Sequence, residues 1–212
     1  MSSAFPPQAL HSASLVQRAV EKWVAHHLGS IQHELRVKEI AGKLFDLTWP
    51  LHGRGRNTRR MLELAAVVHD VGRCIDEETH PRQGARMLLA ASQLPLDDTQ
   101  RRALAFLTRH HRGKEPTPDS KYLQPGDDFD HLLLVLGFLK AADALDSRAI
   151  ESPELTFALA GRRLQITCHL ENDTPKARKI YTRRKKYRML EHLLGCRVEV
   201  QIALARPLQM VA

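Results

Sequence analysis

Apolar residues recur at helical spacing through most of the chain up to about Arg148 and then switch to strand alternation. In HELRVKEIAGKLF, which begins at His33, the residues Val37, Ile40, Ala41, Leu44 and Phe45 form one inward stripe, and His33 lies on that line one turn before Val37. Two further segments are apolar almost all round. MLELAAVVHDVGR carries Leu62, Leu64, Ala65, Ala66, Val67 and Val68 up to His69-Asp70, and LLLVLGFLKAADALD carries Asp143 near its end; each predicts a helix buried in a core. His80-Pro81 opens another helix with proline in its first turn, and a further one runs from near Asp98 to His110-His111. Breaks fall at Gly29-Ser30, Pro50 to Asn57, Asp76 to Pro81, Pro95 to Asp97 and Gly113 to Asp127. The last, GKEPTPDSKYLQPGDD, reads equally as a lid beside a site or a plain surface loop.

Beyond Arg148, LTFAL and LQITCHL alternate around Gly161-Arg162 and predict a hairpin, with CRVEVQIAL as a third strand. Between them the pattern predicts one helix from Pro175 to Leu194, with Ile180, Tyr187, Leu190 and Leu194 on its buried stripe and Gly195 as its cap. The fold class is therefore mainly α: a helical bundle over residues 1–150 and a small strand-helix-strand α/β subdomain over 151–212, packed on it. At 212 residues and 43% hydrophobic content the chain can bury a sizeable core.

Potential metal ligands sit at the ends of these helices in one order: His33, His69-Asp70, His80, His110-His111 and Asp143. Imidazole and carboxylate together suit a divalent first-row metal, and an Asp among histidines can bridge two ions. An ionised Asp at the end of a buried helix is costly unless it is paired or metal-bound, so two apolar helices that each deliver a carboxylate suggest a shared cation. Adjacent residues on a helix point about 100° apart, so at most one of His110 and His111 is expected to face the ion, with His111 preferred, unless the helix unwinds at Arg112-Gly113 and both become ligands. His11, His26, His27, His52, His131, His169 and His192 read as ordinary surface or core histidines.

Charge is unevenly placed. The stretch from Lys176 to Arg188 holds eight basic residues and no acidic one, which equals the whole formal excess of +8. It reads either as contact with a phosphate-rich polyanion or as a solvated helix face. A second basic group, Arg54, Arg56, Arg59 and Arg60, brackets Asn57, a candidate helix cap beside which an anion could sit. The three cysteines, Cys74, Cys168 and Cys196, lack metal-ligand spacing and do not suggest a disulfide framework; Cys74 reads as a small core residue. No apolar run approaches a membrane span, and MSSAFPPQALHSAS lacks the basic start and apolar core of a secretory leader, so a cytoplasmic protein with no membrane contact is expected.

From Leu15 to Ile202 the chain resembles the carboxy-terminal helical HD region of the exopolyphosphatase/guanosine pentaphosphatase family. The matching pieces are HELRVKEIAGKLFD, LHGRGRNTRRMLELAAVVHDVGR, THPRQGARMLL, LTRHHRG, LKAADALDSR and the LTFAL, LQITCHL and GCRVEV tail. That family's exopolyphosphatase chemistry resides in amino-terminal actin-like domains for which these 212 residues leave no room, so that activity is not carried over. What the resemblance implies is the metal site of the HD phosphohydrolase superfamily, with Gln83 standing where many relatives show a further His. On this reading His33, His69, Asp70 and Asp143 hold one divalent ion and Asp70 bridges to a second held by His80 and His111. Asp70 is central to the chemistry, Arg73 and Lys140 are candidates for phosphate contact, and Asp146 and Arg148 brace the end of the Asp143 helix. The expected activity is hydrolysis of a phosphoester or phosphoanhydride in a nucleotide or other phosphorylated small molecule. The alternative is a non-catalytic module that binds a nucleotide or polyphosphate, and the resemblance leaves a homodimer open. A third reading, nucleic-acid binding by the basic helix, has only Tyr181 and Tyr187 to offer for stacking.

Overall fold

The computed structural model describes residues 7–118 and 120–205, with side chains from Ser14 onward. Seven α-helices come first: α1 (Pro7–Leu28), α2 (Gln32–Leu47), α3 (Trp49–His52), α4 (Arg56–Val68), α5 (His80–Ala90), α6 (Asp98–His110) and α7 (Phe129–Ala144), with a 3-10 turn over Val71–Cys74 between α4 and α5. α7 is apolar on every face because every face is covered: it packs against α2, α4 and α6, and its residues from Leu132 through Leu139 are all buried. α4 is buried from Leu64 through Val68 against α1, α2, α6 and α7. Each large apolar side chain so covered contributes roughly 1.5–3 kcal/mol. Several such residues on one helix outweigh the cost of carrying a polar pair at its end.

The helix starts are set locally. Asp97 accepts from the Gln100 backbone N–H at 2.8 Å while the Gln100 side chain accepts from the Asp97 N–H at 3.2 Å, a reciprocal cap that starts α6. Asp128 caps α7 by accepting from the His131 N–H at 2.9 Å. Asp76 accepts from both the backbone and the hydroxyl of Thr79 at 2.6 Å, closing the turn that delivers His80 to α5. Asn57 is not the cap that the sequence suggests: α4 begins at Arg56 with Gly55 before it, and Asn57 is inside the first turn.

The carboxy-terminal elements are β1 (Glu154–Ala160), β2 (Arg163–Leu170), α8 (Pro175–Tyr181), a 3-10 turn (Arg184–Lys186), α9 (Arg188–Leu194) and β3 (Arg197–Leu204). β1 and β2 form an antiparallel hairpin, and β3 joins β2 in parallel, the helical segment supplying the crossover that a parallel pair requires. Leu164, Ile166, Cys168 and Leu170 form the buried face of β2. α9 lies on α7 at Gly137, where a Cβ would stand 2.9 Å from a methyl of Leu193. The molecule is thus a helical bundle with a small α/β part at its carboxy-terminal end.

The sequence pattern predicts one helix over Pro175 to Leu194, and the structure breaks it between Tyr181 and Arg188. The Tyr187 hydroxyl donates to the Tyr181 carbonyl at 2.7 Å, taking an acceptor that a continuing helix would offer to its next turn, and the Tyr181 hydroxyl donates to the Glu151 carbonyl at 2.7 Å. Both rings are fully buried, so the break is pinned by packing as well as by hydrogen bonds. Mutual repulsion among the cations of this segment further disfavours a continuous helix. Among the described residues no helix is long and apolar enough to cross a membrane.

Candidate metal centre

Six element ends meet at one point. His33 is in the first turn of α2, His69 follows α4, Asp70 precedes the 3-10 turn, His80 opens α5, His111 follows α6, and Asp143 is in the last turn of α7. The approach depends on Gly72: a Cβ there would lie 2.2 Å from the His80 carbonyl oxygen and 2.4 Å from the Gly84 nitrogen. Only a glycine lets the turn after Asp70 press against the start of α5 and bring His80 beside Asp70.

The two oxygens of Asp70 face different groups. Oδ1 is 3.1 Å from His80 Nε2, 3.4 Å from His111 Nε2 and 3.6 Å from His69 Nε2, while Oδ2 is 4.0 Å from His33 Nε2. Asp143 Oδ1 stands 3.5 Å from His33 Nε2 and 3.7 Å from His69 Nε2. Two groups, His33-His69-Asp143 and His69-Asp70-His111, each place their ligand atoms within 4.8 Å of one another, and both can hold a metal ion. Bonds of about 2.0–2.2 Å to a divalent metal separate neighbouring ligand atoms by roughly 3–3.5 Å, which is the scale seen here.

Every imidazole is oriented by its other nitrogen. Nδ1 of His69 donates to the Ala66 carbonyl at 2.8 Å, Nδ1 of His80 to the Glu77 carbonyl at 2.6 Å, Nδ1 of His111 to the Thr108 carbonyl at 2.7 Å, and Nδ1 of His33 to Asp146 Oδ2 at 2.9 Å. In the neutral rings this leaves four Nε2 lone pairs aimed at one volume. His33 Nε2 and His69 Nε2 are buried with no hydrogen-bond partner, and His80 Nε2 lies only 3.2 Å from His111 Nε2. Two lone pairs at that distance require a proton or a cation between or beside them. The residues fit a divalent ion.

Without metal, protons carry part of this load. Burial disfavours the charged form of His69, but Asp70 and Asp143 outweigh it and push its pKa up to about 9. Burial likewise opposes ionisation of Asp70 and Asp143, yet His69, His111 and His80 hold Asp70, and His33 and His69 hold Asp143, well below the usual carboxylate range. His33 is raised because Asp143 and Asp146 overcome its burial, whereas burial dominates at His111 and lowers it.

The remaining candidates divide. His110 is not brought into the cluster: one position before His111, it turns away to pack on Phe106, 4.9 Å between ring centroids, and burial together with Arg109 and Lys140 pushes its pKa down to about 4. Arg73 lies 3.6 Å from Asp70 Oδ2 and also pairs with Glu77. Lys140 donates to the Gly113 carbonyl at 3.2 Å and lines a cavity shared with His111 and Asp143. Gln83 donates to the Thr79 hydroxyl at 3.3 Å. Cys74 is exposed, not a core residue, because the 3-10 turn swings it outward. His11 lies where side chains are not described.

Two residues carry more than the sequence pattern assigns them. Glu34 is fully buried and pairs with Arg148, whose Nε also donates to Asp70 Oδ2 at 3.3 Å. Helical spacing holds the signal for Glu34, which sits three residues before Val37 on the inward face; the pairing with Arg148 has no local signal. Asp146 does more than brace a helix end, since besides His33 it accepts from Arg36 at 2.7 Å and from the Ser152 hydroxyl at 2.7 Å.

The two basic groups also separate. Arg59 is taken up by Asp46 and Glu63, so no open cluster of guanidinium groups surrounds Asn57, and the cavity of about 650 Å³ that Asn57 and Arg60 line contains none of the candidate ligands. The Lys176 to Arg188 segment is not one cationic face: Lys176 donates to the Ala149 carbonyl and Arg178 and Arg184 pair with Asp173 and Glu191, while Arg183, Lys185, Lys186 and Arg188 line the cavity that holds His111 and Asp143.

No curated protein matches the chain. Residues 16–174, which include every residue of the histidine-aspartate cluster and end before the basic segment, match the family described as Ppx/GppA phosphatase, domain III, and the chain belongs to that family.

Proposed function

We propose that this chain is an HD-type metal-dependent phosphohydrolase acting on a phosphorylated small molecule such as a nucleotide. The observation that carries the reading is the convergence of imidazole Nε2 atoms, each with its Nδ1 already committed, on two carboxylates. His33, His69, Asp70 and Asp143 would hold one divalent ion, and His80 and His111, together with Asp70, would hold a second. When bound, such ions supply Lewis acidity, drawing charge from a phosphoryl oxygen and making water a better nucleophile near neutral pH.

The protein's own groups do the rest. Asp146 and the carbonyls of Ala66, Glu77 and Thr108 fix the rings so that no reorientation is needed on binding. A cavity of about 240 Å³ opens on His33, Asp70 and Asp143 and is walled by Arg73, Arg112 and Arg148, whose guanidinium groups match the oxygens of a phosphoryl group. Lys140 faces the adjoining space. Arg148 also holds Asp70 from outside the cluster, in the manner of a positioning residue.

The test combines metal content with turnover. Elemental analysis of the purified protein is expected to find about one to two first-row divalent ions per chain, and a panel of phosphomonoesters, nucleotides and short polyphosphates is expected to contain a substrate. Asp70→Ala should lose metal and activity by more than the about 10–100-fold that loss of an outer partner costs; His80→Ala should weaken only the second ion. Unchanged turnover in Asp70→Ala would overturn the mechanism, and metal binding without turnover of any compound would reduce the protein to a binding module.

A further inference from the structure

We infer that the Arg183–Arg188 segment and the start of the α6–α7 loop build a subsite for a second phosphate group of the same small molecule whose scissile phosphate faces the metal centre. The inference rests on the proposed phosphohydrolase reading. Two cavities share the wall formed by Arg112, Asp143 and Lys186: the smaller one opens on the cluster, and the larger, about 540 Å³, extends away from it. Seven cationic side chains line the larger cavity, among them Arg112, Lys114, Lys140, Arg183, Lys185 and Lys186, against two carboxylates, Glu115 and Asp143. Among the described residues, Arg112, Lys114, Arg183, Lys185, Lys186 and Arg188 make no ion pair, unlike their neighbours Arg178 and Arg184. Cations gathered on one concave wall without partners repel one another, and an anion relieves that cost.

The lining identifies the chemistry further. It offers no Phe, Tyr or Trp on which a base could stack, and Met189 is its main apolar member, so the cavity is suited to phosphate oxygens and poorly suited to a nucleobase. The break between α8 and α9 is what aims the segment inward. The buried Tyr181 and Tyr187 anchor the 3-10 turn on the bundle, and Lys186, the half-buried cation of that turn, reaches the wall common to both cavities. The Arg183–Arg188 residues follow Thr174, the last position of the family match.

Calorimetric titration of the metal-loaded full chain with orthophosphate, pyrophosphate and tripolyphosphate tests the subsite. In Arg183→Gln/Lys185→Gln/Arg188→Gln, three residues that line the larger cavity alone, the affinity for tripolyphosphate should fall by at least about tenfold while that for orthophosphate changes less than about twofold. Arg184→Gln removes a neighbouring charge that is paired with Glu191, and it should leave both affinities within about twofold. Lys185→Gln alone, a single change at an exposed position, should reproduce a several-fold loss for tripolyphosphate if the triple variant proves unstable. Equal loss for orthophosphate and tripolyphosphate, no loss for either, or an Arg184→Gln effect as large as that of Lys185→Gln would each overturn the subsite. Metal content and melting temperature are read on every variant. Selective tripolyphosphate binding by a metal-loaded protein that hydrolyses nothing would sink the phosphohydrolase reading and leave the subsite standing.

Discussion

His33 shows how much of the centre is decided by a single proton. Its Nδ1 bond to Asp146 at 2.9 Å selects the tautomer whose Nε2 lone pair faces Asp143 and Asp70, and that Nε2 is buried without a partner. A buried polar atom left unpaired costs roughly 1–3 kcal/mol, so the arrangement is retained against its own stability unless a cation relieves it. Asp146→Ala removes the group that orients the ring and raises its basicity. Metal affinity should then fall by about 10–100-fold. Ser152→Ala removes one of the other bonds to Asp146 and leaves the imidazole held, so it should keep affinity within about threefold. Competition with a chelator on both variants checks this, and equal effects would assign Asp146 a role in the fold alone.

At the scale of elements, the centre is a meeting of helix ends, and Gly72 sets how close two of them come. A Cβ on residue 72 would collide with backbone atoms of His80 and Gly84, which cannot rotate aside as a side chain can. Gly72→Ala is therefore expected to cost at the upper end of the about 1–3 kcal/mol typical of overpacking, and to push His80 from Asp70. Melting temperature and metal stoichiometry should fall together; a drop in stability with both ions retained would show that the strain is absorbed elsewhere. The elements themselves were legible because burial leaves a periodic trace: the all-apolar α7, the half-apolar α2 and the alternating β2 each reflect what covers them. The order of histidines and aspartates was legible for the same reason, since each sits at the end of such an element. What escaped pattern reading depends on contacts between distant residues. The α8–α9 break rests on two tyrosine hydroxyls, the Glu34–Arg148 pair joins residues 114 positions apart, and the approach of the basic segment to Asp143 follows from both strand pairing and that break.

For the molecule as a whole, protons and metal compete for one set of ligands, and the sign of that competition can be worked out. In the metal-free protein the His69 pKa is raised from its ordinary 6.5 to about 9, so this group contributes stability that is complete below 6.5 and is lost as the pH rises through about 9. The lowered values of Asp70 and Asp143 work in the other direction, contributing stability above the usual carboxylate range that is lost only in strong acid. A bound ion requires His69 neutral, so loading displaces its proton, and each pH unit below about 9 costs about tenfold in apparent affinity for that proton alone. The increase in melting temperature on adding a saturable divalent metal should therefore grow from pH 6.5 to 9, even as the metal-free protein itself loses stability over the same interval. His69→Gln should flatten both slopes, leaving the part that His33, whose pKa is also raised, contributes with the same sign. Thermal melts with and without metal at four pH values across that window decide the matter: a metal-induced shift independent of pH would mean that His69 holds no displaceable proton, and with it the competition between proton and metal would fall.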